Sequence, residues 1–184
     1  MIGLMVRSGS HTVGPDAGTI SVLTYREGIA QKVGHDLVID VGNWQATVHA
    51  AQDGTLSSIE LEVDANSLQV REGHHGVKPL TDRDRDEIRK NVAEKVLRGQ
   101  PIGFRSAALQ NDGGTLTGNG ELSVGSAGRP ISFDLASRSD GRLTGSLPLT
   151  QSEWGIKPYR GLMGALKVRD AVEIVIDVQL PADP

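Results

Sequence analysis

Histidine is the side chain best placed to do chemistry near neutral pH, and three of the five in this chain sit in loop-like sequence. His74 and His75 are adjacent, between Gly73 and Gly76. Neutral imidazoles bind zinc, copper and nickel. A catalytic zinc wants three protein ligands in fixed geometry, and two neighbours in a glycine-flanked loop do not supply that. The pair reads as a solvated loop. Asp82, Asp84 and Asp86 copy the opening of a calcium loop, but Glu87 stands where its glycine belongs and Ala93 where its closing glutamate belongs. A calcium site is therefore rejected. With no cysteine anywhere, disulfides, thiolate metal sites and cysteine nucleophiles are excluded. No G-x-S-x-G, H-E-x-x-H or phosphate loop occurs. His35 remains, in the stretch Lys32–Leu37, either bonding a ligand head group or fixing its own loop.

The apolar residues carry more information. Of the six aromatic residues, Trp44, Phe104 and Phe133 fall on the apolar faces of alternating segments, and Trp154 ends another. Such residues either pack a filled core or line a concave apolar site. The stretch Tyr159–Gly164, with Leu162 and Met163 between glycines, reads as a gate, a ligand contact or a loop packed over one end.

Most of the chain alternates with period two, as strands with one apolar face do. Eight such segments lie near 18–26, 44–52, 56–64, 101–109, 115–124, 129–137, 142–151 and 171–180. The last is the cleanest, with Val172, Ile174, Ile176, Val178 and Leu180 in step. Turn signals such as Asp53-Gly54 and Asp140-Gly141 separate them. One stretch, 81–98, has helical spacing instead. Ile88, Val92 and Val96 make the stripe, Thr81 and Asp84 suit a capping box, and Gly99 and Pro101 end it. Eight short strands imply a sandwich or barrel. Gly118 and Gly120, on one face, favour a curved sheet that closes. The expected fold is all-β with one helix, an extended eight-stranded antiparallel barrel wide enough for one small ligand.

The 184 residues suit one domain, 18–184, after a loose N-terminal arm over 1–17. Surface–mass scaling gives a folded surface of ~8,500 Å². The net charge of −4 argues against nucleic acid as a partner, as does the scarcity of aromatics. The apolar start stops at Val6 before Arg7, too short for a secretory signal, and no stretch suits a membrane helix. A cytoplasmic protein without stable membrane insertion is the expectation.

Four segments resemble the YceI-like family. They are Lys32–Leu37 around His35, Pro79–Ile88 at the helix start, Pro101–Ser106, and Trp154–Tyr159 followed by Gly164–Val168. Their order and spacing span about residues 18–180. The resemblance implies a lipocalin-like barrel that binds and sequesters or carries a long-chain isoprenoid or other amphiphilic lipid, with no cofactor and no chemistry on the ligand. The ligand would then touch His35, Trp44, Phe104, Phe133, Trp154, Tyr159, Leu162 and Met163. A homodimer stays open. So do two other readings: a small enzyme acting on a hydrophobic substrate at the barrel mouth, and an interaction module whose barrel is filled by side chains.

Overall fold

The computed structural model describes residues 3–182. Before the helix come β1 (Gly9–Val13), β2 (Gly18–Thr24), the two-residue β3 (Arg26–Glu27), β4 (Asp36–Val41), β5 (Trp44–Ala50), β6 (Leu56–Val63) and β7 (Leu68–His74). After the helix α1 (Asp82–Asn91) come β8 (Ile102–Asp112), β9 (Thr115–Val124), β10 (Ala127–Ser137) and β11 (Arg142–Thr150). The short β12 (Arg160–Gly161) and β13 (Leu166–Val168) precede β14 (Ala171–Gln179).

Eleven strands form one antiparallel sheet in the order β1-β5-β6-β8-β9-β10-β11-β14-β2-β4-β7, while β12-β13-β3 make a small second sheet. The long sheet curls into a half-barrel with its apolar face inward. This corrects the expected eight-stranded closed barrel. All eight expected segments are strands, but β1, β4 and β7 join them, and β1 and β7 are free edges. β7 escaped notice because only Leu68 and Val70 alternate before Arg71 and Glu72 break the pattern. The middle of its free edge is met by α1: the Arg85 guanidinium donates to the carbonyls of Val70 (3.2 Å) and Arg71 (2.9 Å).

The helix begins as read. Thr81 accepts from the Asp84 backbone N–H, and the Asp84 carboxylate accepts from Thr81 N–H at 2.8 Å. The Thr81 N–H, and after it the Thr81 hydroxyl donating to the same carboxylate at 2.7 Å, hold the Asp84 carboxyl below its usual range. The expected uninterrupted helix over 81–98 instead changes to π geometry at Val92–Val96, with Leu97 N–H donating to the Val92 carbonyl. The wider turn brings Val92, Val96 and Leu97 together onto the inner side.

The expected loose arm is also corrected. Residues 1 and 2 lie outside the described residues, but Leu4 and Val6 are among the most deeply buried side chains. Val6 N–H bonds to the Gly54 carbonyl, Arg7 N–H to the Pro181 carbonyl, and the Asn111 amide to the Leu4 carbonyl. β1 then pairs along the whole of its length with β5. The segment thus straps one end of the sheet, near Leu116, Leu135, Leu143 and Leu180, all buried in the same core. No helix among the described residues is long and apolar enough to cross a membrane.

Candidate functional site

Strand alternation sends one apolar side chain in every two toward the inside of the curl, and there they surround open space rather than fill it. The cavity holds about 800 Å³. That lies toward the upper end of the range for ligand pockets. All eleven strands of the long sheet contribute to its wall, and among their lining residues Thr24 is the only non-aromatic polar one. The other polar lining groups come from the helix, from loops and from the small sheet. Total exposed surface is 10,433 Å², about 1,900 Å² above the scaling expectation for a compact chain of this mass, as an internal wall would add. The Ile88–Val92–Val96 stripe of the helix faces this space.

Two glycines shape the wall. A Cβ at Gly118 would collide with Phe133 Cζ, and one at Gly120 would collide with the Arg105 carbonyl and with Phe104 Cζ. The two phenyl rings therefore lie down against bare backbone and meet edge to face, 5.8 Å between centroids. A bulge between Ser106 and Ala108 then shifts the register of β8. Leu109 takes the inner face, and Ala108, which strict alternation from Phe104 would put there, is exposed.

Trp154 fills a gap. β10 and β11 pair only at Ala136–Thr144 and Ser137–Leu143, then splay apart. The turn Gln151–Trp154 packs against β10, and the Trp154 indole N–H donates to the Leu122 carbonyl at 2.8 Å. Trp44 is just as buried, but among the described residues its indole N–H has no acceptor, and the Thr24 hydroxyl has no partner. Both residues belong to the cavity wall.

At the other end from the N-terminal strap, three loops form the mouth. His35 Nε2 donates to the Lys78 carbonyl at 2.7 Å. Its ring rests on Gly76, where any Cβ would overlap it, and Leu80 rests on Gly73 in the same way. The glycines around His74-His75 thus seat neighbours rather than free a metal loop. His35 fixes the loop after β7 while also lining the cavity. The Arg26 guanidinium ties the mouth further, donating to the carbonyls of Gln31, Gly34 and His75 and standing 3.9 Å from the Asp36 carboxylate. Tyr25 donates to Glu173 at 3.0 Å, and its phenol is pushed up first by burial and then by that carboxylate. His74 bonds to Glu72 and His75 lies 3.7 Å from Asp36; among the described residues no three His, Asp or Glu side chains gather as metal ligands.

Of the sequence-predicted contacts, the structure brings His35, Trp44, Phe104, Phe133, Trp154 and Tyr159 to one cavity. Leu162 and Met163 do not reach it. They stand at the surface, Met163 fully exposed, both with left-handed backbone (φ 49° and 54°). Sequence reasoning missed the wall supplied by β4, where Leu37, Ile39 and Val41 share a face, because that short run lies next to the His35 motif and was read with it.

Residues 15–180 match the family model of the YceI-like domain. No curated protein matches the chain. Among solved structures, the crystal structure of BcnA from Burkholderia cenocepacia superposes with a TM-score of 0.61 at 15% identity, over 87% of this chain and 94% of that one. The likeness is one of fold.

Proposed function

Since the chain belongs to the YceI-like family, we propose that it binds one long-chain amphiphilic lipid of the polyisoprenoid kind in its cavity, and sequesters or carries it. The observation that supports this most is the wall itself: a cavity of about 800 Å³ whose lining from the long sheet is aliphatic and aromatic throughout, apart from Thr24. Each methylene moved from water into such a site contributes about 0.8 kcal/mol. A long chain is then held by burial alone, with its polar end left at the mouth among His35, Lys78, Tyr159 and Lys167. Binding without turnover is the reading, and a cytoplasmic setting goes with it.

The test is a native mass spectrum of gently purified protein beside a denatured one, followed by organic extraction. The expected result is a mass excess that extraction recovers as a lipid, near one per chain or per dimer. Empty protein that also refuses added polyprenyl lipids overturns the proposal. A variant sharpens it. Phe104 lies over Gly120 at the cavity wall, so Phe104→Ala enlarges existing space instead of opening a sealed hole. On delipidated protein it is expected to cost clearly less than the ~3–5 kcal/mol of a buried aromatic in a packed core, while lipid retention weakens. Delipidation matters because bound ligand adds its own stability.

A further inference from the structure

Among the described residues, six large apolar side chains are strongly exposed, and five of them crowd the mouth: Ile29, Val33, Val77, Leu162 and Met163. They belong to three loops that hydrogen bonds join into one rim. Ala30 N–H donates to the Ala165 carbonyl, and Val77 N–H to the Lys32 carbonyl. Arg26 bridges to His75. Ile29 and Met163 are 95% and 107% exposed, so nothing among the described residues covers them. The Leu162–Met163 tip holds two consecutive left-handed residues, a conformation that costs free energy for side chains of this size. Val33 and Val77 continue the patch into the cavity wall, so the exposed apolar face and the cavity are one surface.

Charge follows the same geography. The chain as a whole carries −4, yet the mouth segments 26–36, 74–80 and 156–169 hold seven Lys and Arg against only Glu27 and Asp36. Asp36 is taken up by Arg26. Among the described residues, Lys32, Lys78, Lys157, Arg160 and Lys167 have no acidic group within ion-pair distance. Apolar tips inside a collar of unpaired cations have the chemistry of a surface that meets an anionic bilayer.

We propose that the cavity mouth is a membrane-docking face: Ile29, Leu162 and Met163 enter the acyl boundary of an anionic bilayer while Lys32, Lys78, Arg160 and Lys167 meet its headgroups. The proposal rests on the lipid-binding reading above, for which it supplies the route, since a chain passing directly between bilayer and cavity never crosses water. Docking of this kind is peripheral and reversible.

The experiment is flotation of the full chain with vesicles of phosphatidylcholine alone and of phosphatidylcholine with phosphatidylglycerol. Co-flotation with the anionic vesicles is expected, falling as salt is raised. The double variant Ile29→Ser/Met163→Ser removes two side chains that pack against nothing, so its melting temperature is expected to be unchanged while vesicle binding drops at least about tenfold. Lys32→Gln and Arg160→Gln are each expected to cost about fivefold on anionic vesicles only. Uptake of farnesol from water, which needs no membrane, is measured on every variant and is expected to match the parent chain. No flotation with either vesicle overturns the docking face, and so does flotation indifferent to the double variant or to the anionic lipid. Failure of farnesol uptake with flotation intact overturns the lipid-cavity reading and leaves the docking face standing.

Discussion

Gly118→Ala and Gly120→Ala add the same methyl group two residues apart on one strand, and they are expected to fail in opposite ways. Both glycines are buried on the inner face of β9. At Gly118 the new Cβ meets the far end of a side chain, Phe133 Cζ, with Leu109 Cδ2 at 2.9 Å. The ring has somewhere to go, because the cavity lies beyond it. Forcing it off its rotamer costs about 0.5–1.5 kcal/mol. Replacing glycine by alanine within a strand returns about 0.5–1 kcal/mol. Net stability therefore stays within about 1 kcal/mol, or some 4 °C for a chain of this length. The displaced ring, however, occupies ligand space. Excluding two or three methylenes at about 0.8 kcal/mol each removes about 2 kcal/mol of binding, roughly thirtyfold. At Gly120 the obstacle is the carbonyl of Arg105 on the neighbouring strand, backbone that no rotamer change relieves. The sheet must part there, at about 3 kcal/mol or more. Thermal unfolding of delipidated protein, paired with competition for a polyprenyl lipid, reads both quantities. If the two variants melt together, or if Gly118→Ala keeps parental affinity, the account of the phenyl rings resting on bare backbone is wrong.

Three further outcomes follow from the same geometry. Val92→Asp places a carboxylate on the helix stripe facing the apolar cavity; lipid uptake is expected to fall sharply and the melting temperature with it, and an unchanged protein would make the helix a mere appendage. Trp154→Phe removes the hydrogen bond donated to the Leu122 carbonyl, whereas Trp44→Phe deletes an N–H that has no acceptor among the described residues, so chemical denaturation should find the Trp154 variant weaker by about 1 kcal/mol. Arg142 donates to both oxygens of Asp177 (2.9 and 2.7 Å) and holds that carboxyl below its ordinary value; the stabilisation is present above the unfolded carboxylate pKa and is lost as pH falls through the depressed folded one. Asp177→Asn is thus expected to cost a little stability at neutral pH and nothing in strong acid, and a penalty that persists in acid would refute that origin.

The parts of this fold that were legible in the amino-acid sequence are those where a single local rule decides. Val172 to Val178 alternates without interruption and forms β14. Thr81 and Asp84 make the capping box their spacing announces. What stayed hidden depends on distant partners. Gly118 and Gly120 read as signs of curvature, and only the packed rings show what space they keep. The extra residue at Ala107 is invisible to a period-two count, which would carry Ala108 onto the face of Phe104. Leu4 and Val6 resembled an idle arm because nothing nearby in sequence says that Gly54, Asn111 and Pro181 await them. At the site, inward-facing apolar residues look alike whether they fill a core or line a void, which is why Phe104 and Phe133 could be placed on a face but not against open space. Ile29 gave no signal at all, since single exposed apolar residues in loops are ordinary, and Met163 read as a gate or ligand contact rather than as part of an exposed patch; their significance lies in being gathered.

The sheet order carries a consequence for how the protein is made. β2 and β14 are direct neighbours, Ile20 beside Ile176, although nearly the whole chain separates them. During synthesis β2 emerges early and must wait for a partner that leaves the ribosome after every other strand of the sheet. Until then the inner face, with its long apolar rows, stands open to water and to other nascent chains. Closing such a distant pair is entropically slow, and the waiting species is of the kind that aggregates or recruits chaperones. The strand with the strongest alternation is thus also the last to arrive, and its docking joins the two halves of the sheet in one late step.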